Sequence, residues 1–227
     1  MLQYITLHTI IETICFIIAL FTLISDQDFT WRILIIFLFI TCAIEIGTIP
    51  MIKTYLENKI PENSNAWVFN ILLLFQMGFY NLMFEHLFTK YINSKPLIIS
   101  GLAVFSIVYV YELFFHNPDK IFDYNSITDT VLSVILVLYS LYYYYLLIKD
   151  ERYVLLQYSA DFWWVTGTLF FYFGSIACTL FYEVLKSEPV SSKIYISYIS
   201  NLLIVILYSC WSYSFICKKW LPQTSKA

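Results

Sequence analysis

Three acidic side chains, Glu12, Glu45 and Glu85, stand inside long apolar runs, and Asp129 sits near the start of another. A carboxyl group in such surroundings can carry a proton, hold a cation, or act as a general acid or base. It needs one of these roles or a hydrogen-bonding neighbour, because an ionisable group at mid-membrane costs about 2.5–3.5 kcal/mol on insertion scales. Glu45 is the deepest of them. In the segment ITCAIEIGTIP, Thr41 precedes it by one helical turn, and Gly47 and Pro50 follow. The glycine is expected to permit close helix approach and the proline to free a backbone carbonyl. Glu45 is then either a neutral acid bonded to a neighbouring helix or part of a ligand, proton or ion site.

The run 66–89 is the most polar of the long apolar segments, with Asn70, Gln76, Asn81, Glu85 and His86. Met77, Asn81 and Glu85 are spaced by four, and Asn70 precedes Met77 by seven, so they share one helical face. Lipid cannot satisfy such a stripe, so it should face the interior, as a polar track or as a buried hydrogen-bond network. Glu45, Asn81 and Glu85 are the foremost candidates for binding a ligand or ion; Glu12, Asp129 and Asn201 complete the set.

Several chemistries are excluded by what is missing. An intramembrane zinc site needs ligands converging at one depth. His86 is expected near one face and His8 and His116 near the other, and the last apolar run has no histidine. A retinal protein needs a lysine within its last helix, whereas Lys193 is at its mouth and Lys218 at its exit. No GxSxG elbow or phosphate-binding glycine loop occurs. The sequence therefore predicts no catalytic residue, no metal and no cofactor. The five cysteines form no CxxC pair and read as small apolar residues.

The elements that must position these groups follow from composition. Of 227 residues, 60% are hydrophobic, 20% aromatic and only 13% charged, with a mean hydropathy of +0.71. A water-soluble domain could not bury so much apolar surface. The small net charge of -3 makes nucleic acid an unsuitable partner. About 20 apolar residues span a bilayer as a helix, and seven such runs occur, at 4–24, 33–52, 66–89, 96–115, 126–148, 161–185 and 193–217. The expected fold is all-α: a polytopic bundle of seven transmembrane helices forming a single domain over residues 1–227, with a short cytoplasmic tail at 218–227. The short connections leave no room between helices for a kinase or nucleotide-binding domain, and none is expected after the last helix.

Orientation follows the positive-inside rule. With the N-terminus outside, the inner side receives Arg32, Lys90, Lys95, Lys149, Arg152, Lys218, Lys219 and Lys226, against Lys53, Lys59, Lys120, Lys186 and Lys193 outside. Eight against five favours N-terminus out and C-terminus in. Glu12, Glu45, Asp129 and Asn201 then lie in the middle-to-outer half, which is where a small-molecule pocket is expected. Trp31, Trp67, Trp163, Trp164, Trp220 and the run Tyr142 to Tyr145 fall near segment ends and read as interfacial anchors. In the sixth run, Ser159 or Asp161 is placed to cap the helix. Gly167 and Gly174 mark a close-packing face, and Thr166 and Thr168 can bond their own backbone.

The sixth run, DFWWVTGTLFFYFGS, and the third, AWVFNILLLFQMGFYNLMF, resemble the corresponding segments of small seven-helix membrane proteins of the Bacteroidota type. The resemblance implies a bacterial cytoplasmic membrane protein. By analogy with the seven-helix input halves of sensor kinases, it also implies sensing through a separate output protein. The function expected is thus a non-enzymatic sensor or signal-transmitting subunit that binds a small or lipidic ligand. Its partners would be membrane lipid and a protein carrying the output, with self-association as a further arrangement. The rival expectations are a solute or ion transporter or oligomeric pore, and an intramembrane lipid-modifying enzyme.

Overall fold

The structure, a computed structural model, describes residues 7–58, 65–116, 123–150, 155–184 and 190–220. Among these residues every regular element is helical: α1 (Leu7–Leu23), α2 (Phe29–Asn58), α3 (Ala66–Phe88), α4 (Lys95–Tyr111), α5 (Ser126–Lys149), α6 (Ala160–Val184) and α7 (Val190–Trp220). A π-helical turn, Glu112–His116, extends α4, and a 3-10 turn, Leu156–Tyr158, precedes α6. Six of the helices, α2 to α7, with α4 counted through its π-helical turn to Phe115, are long and apolar enough to cross a membrane; α1 is apolar but shorter, at 17 residues. This is an integral membrane architecture. Of the basic residues used for orientation, Lys59, Lys120, Arg152, Lys186 and Lys226 lie outside the described residues, as do the side chains of Lys53, Lys193, Glu183 and His116 and the tail beyond Trp220.

The helices pack as a ring in the order α1, α2, α3, α5, α6, α7, closed by α7 against α1, with α4 docked on the outside of the α3–α5 seam. The tightest seam is α6 with α7, and its cause is legible in the sequence. A Cβ at Gly167 would lie 2.8 Å from the Cys210 Cβ and 3.1 Å from the Leu207 carbonyl oxygen, and one at Gly174 would meet Leu203 at 2.5 Å. At Gly167, where the obstacles are a backbone oxygen and a Cβ, only hydrogen lets the backbones approach so closely, whereas at Gly174 the space is filled by the end of the Leu203 side chain. Gly47 differs from expectation: it faces outward with no described atom within 4 Å of a Cβ built there, so it brings no helix close. Pro50 sits within α2, which continues past it to Asn58.

Aromatic side chains fill the ring. Phe37 stacks on Phe79 with centroids 3.9 Å apart. Trp164 stacks on Trp211 at 5.7 Å, and Tyr80 and Phe84 pack against this pair. The Trp211 indole N–H donates to the Trp164 carbonyl at 3.2 Å and reaches the Thr168 hydroxyl at 3.3 Å. Trp31, Trp164 and Tyr143 are thus buried core residues and not interfacial anchors, whereas Trp67 and Trp220 remain exposed. Position near a helix end does not distinguish the two roles; the face of the helix does, and the ring order that decides it is not visible in sequence.

Candidate functional site

A cavity of about 240 Å³ occupies the half of the ring that carries the start of α1. The walls come from His8 and Glu12 of α1, residues 37–45 of α2, 69–80 of α3, 129–133 of α5, 171–175 of α6 and 204–211 of α7. Three carboxylic side chains from three helices line it, Glu12 of α1, Glu45 of α2 and Asp129 of α5, together with His8, Thr41 and Gln76. The remaining walls are largely aromatic, with Phe37, Tyr80, Tyr172, Tyr208 and Trp211 among them. Tyr80 and Trp211 belong to the packed aromatic plug, so the cavity ends at mid-bundle.

His8 ties the acids together. Its Nε2 is 3.9 Å from Glu12 Oε2, one turn along α1, and its Nδ1 is 3.7 Å from Glu45 Oε1 across the helix pair. The Glu12 side chain is 1% exposed, with the hydroxyls of Thr41 and Tyr208 beside its carboxyl group, yet Oε2 has no hydrogen-bond partner. A buried carboxylate oxygen left unpaired is costly, so its presence on a cavity wall calls for something in the cavity. Asp129 has the Tyr124 hydroxyl beside it.

Two buried polar residues outside the cavity hold this end in shape. Asn70 accepts the Asn125 N–H at 2.9 Å and donates to the Asp123 carbonyl at 2.9 Å, bracketing Tyr124. Glu112 accepts from the backbone N–H groups of Ile127 and Thr128 at 3.0 and 2.7 Å, and from the Thr128 hydroxyl at 2.7 Å. A carboxylate at the first turn of α5 satisfies amides that no residue within the helix can reach, and it complements the helix dipole.

Of the residues singled out from sequence, Glu12, Glu45 and Asp129 come together, while Asn81, Glu85 and Asn201 do not line the cavity. Asn81 is buried with neither amide atom paired, and Glu85 is half-buried toward the opposite end. The stripe of α3 therefore divides. Its upper member, Asn70, is structural, and it is Gln76 and Tyr80 of the same helix that reach the cavity. Sequence reasoning did not assign His8 or the aromatic walls to the site. The signal for His8 was its spacing of four from Glu12; for Tyr208 and Trp211 it was a spacing of three on one face of α7, which in an aromatic-rich chain reads as ordinary core.

The opposite end is closed by charge pairs. Asp28, at the α1–α2 turn, lies 3.2 Å from His86 Nε2 and 3.4 Å from Lys218 Nζ, and Lys90 pairs with Asp161 at 2.5 Å. Asp161 is thus an ion-pair partner, and the start of α6 is capped by the Ser159 hydroxyl, which accepts the Phe162 N–H at 3.3 Å.

Fold and site together define an all-helical, multi-spanning membrane protein with an acidic, aromatic-walled cavity in one half. No family model, curated protein or solved structure matches the chain.

Proposed function

We propose that the chain is a seven-helix membrane sensor or signal-transmitting subunit of the bacterial cytoplasmic membrane, with its N-terminus outside and C-terminus inside. It binds a small ligand in the outward half and passes a helix displacement to a protein partner on the inner side. The observation that carries this reading is the cavity itself, built by side chains from six helices and containing an unpaired buried carboxylate oxygen. α7 supplies the connection. Leu207, Tyr208 and Trp211 form part of the cavity wall, and Lys218, two turns or about 10 Å further along the same helix, pairs with Asp28 at the other end. A ligand that moves α7 must strain or release that pair, which is the differential interaction a switch requires.

The test is photo-crosslinking in native membranes from positions around Lys218 and Lys90, with a ligand-bearing extract present or absent. A specific protein adduct whose yield changes with ligand is expected. Recovery of no specific adduct under either condition sinks the reading.

A second reading, solute transport, is favoured by one observation: the cavity reaches mid-bundle from one end while ion pairs close the other, the arrangement that alternating access uses. Solute or proton flux in proteoliposomes under an imposed gradient would establish it in place of the sensor.

A further inference from the structure

The cavity wall carries three acidic side chains against a single histidine, and they come from three different helices. Among the described residues no three acidic, histidine or cysteine side chains lie close enough together to hold one metal ion. The carboxyl groups line a space of about 240 Å³, just below the range of about 300–1,000 Å³ typical of pockets for drug-sized ligands. The same wall carries the rings of Tyr80, Tyr172, Tyr208 and Trp211. Aromatic faces attract cations through their quadrupole, most strongly where water is excluded. Glu12 Oε2 is buried and unpaired on this wall, with only the His8 ring, at 3.9 Å, in its vicinity as a basic group. Carboxyl oxygens from three helices in an aromatic-walled cavity, with no convergent chelating set, match a cation whose charge is carried on a compact organic body.

Building on the ligand-binding reading above, we infer that the cavity takes a small organic cation: an ammonium group bearing a short apolar or aromatic substituent. The ammonium lies toward Glu12 and Glu45, and the apolar part rests on the Tyr80 and Trp211 faces at the floor. A primary ammonium would donate to Glu12 Oε2, supplying the hydrogen bond the protein leaves unmade. A quaternary ammonium would rely on charge and on the aromatic rings alone. The ammonium can belong to a free amine or to a lipid headgroup.

The experiment is isothermal titration calorimetry on the full chain purified in dodecyl maltoside, which carries no charge, with benzylamine, benzyltrimethylammonium, benzyl alcohol and benzoate as probes. Saturable binding of the two cations is expected, with benzyl alcohol and benzoate at least about tenfold weaker. Glu12→Gln and Glu45→Gln should each weaken cation binding by about tenfold, while Asp161→Asn, which removes the same charge at the opposite end, should leave it unchanged. Glu45 is partly exposed, so its variant keeps the test valid if Glu12→Gln does not fold. Competition by phosphatidylethanolamine added to the micelles assigns the ammonium to a headgroup; its absence assigns it to a free amine.

The inference is overturned if folded wild-type protein binds neither cation, if benzoate or benzyl alcohol binds as tightly, or if the glutamine variants bind cations unchanged. Saturable binding of a neutral or anionic probe alone would remove the cation while leaving a small-ligand sensor standing. Cation binding accompanied by cation flux would do the reverse, keeping the ligand class and replacing the sensor with a transporter.

Discussion

A single methyl group distinguishes the tight helix seams from the open ones. At Gly167 the added carbon meets a backbone oxygen and the first side-chain atom of Cys210, neither of which can swing aside. Gly167→Ala should therefore cost about 1–3 kcal/mol through overpacking. Gly47→Ala meets nothing within 4 Å and should gain up to about 1 kcal/mol, since alanine favours a helix over glycine. Thermal unfolding in detergent, followed by tryptophan fluorescence, should move the two variants in opposite directions. Glycines seven apart in α6 were legible as a packing face because their spacing alone defines one. Gly47 stands alone and reveals nothing of its face. The same measurement tests Glu112→Ala, which strips acceptors from two amides and a hydroxyl at the start of α5 and should cost about 1–3 kcal/mol. In sequence Glu112 is one acid near the end of the apolar run 96–115. Its role was not legible there, because its partners lie fifteen and sixteen residues on, across the α4–α5 connection.

Among the elements, helix positions follow the apolar runs closely, and the departures have physical causes. α2 continues from Phe29 to Asn58, beyond its apolar stretch at both ends, because helical backbone bonding need not stop where lipid does. The polar ends of these helices are where α1, α2, α3 and α7 are tied together through Asp28. Burial pushes the Asp28 carboxyl up, but the neighbouring His86 ring, the Lys218 ammonium and the Thr30 N–H outweigh it and hold it below its ordinary value. A depressed folded-state carboxyl contributes stability above its unfolded pKa of about 3.9 and loses it as pH falls through the lower folded value. Asp28→Asn should accordingly unfold at a lower temperature than wild type at pH 7, and the difference should shrink progressively below about pH 4. A difference that persists undiminished at the most acidic pH the fold tolerates would show that Asp28 acts through packing and not through its charge. The cluster joins residues 28, 86 and 218, three separate helix ends, so no local spacing could have announced it.

For the molecule as a whole, composition was sufficient to place it in a membrane, and insufficient to say which helices touch. The closure of α7 against α1 brings Glu12 to the same cavity as Glu45 and Asp129, and it is a property of the ring and not of any one segment. Orientation rests on charge. Arg32, Lys90, Lys95, Lys149, Lys218 and Lys219 gather at the end opposite the cavity, which by the positive-inside rule is the inner end in the orientation proposed above. The least secure crossing is α1, whose 17 residues span about 26 Å against a hydrocarbon core of about 30 Å. Single cysteines in a cysteine-free background decide it. Leu7→Cys and Ser126→Cys, both exposed at the cavity end, should react with a membrane-impermeant maleimide on intact cells, and Gln27→Cys, exposed at the α1–α2 turn, only after permeabilisation. Gln27 and Leu7 reacting from the same side would mean that α1 does not cross and that six helices span the bilayer. Since His8 and Glu12 would then sit on a helix lying at the membrane surface, the cavity would have to be rebuilt without its most buried acid, so the topology experiment also bears on the ligand site.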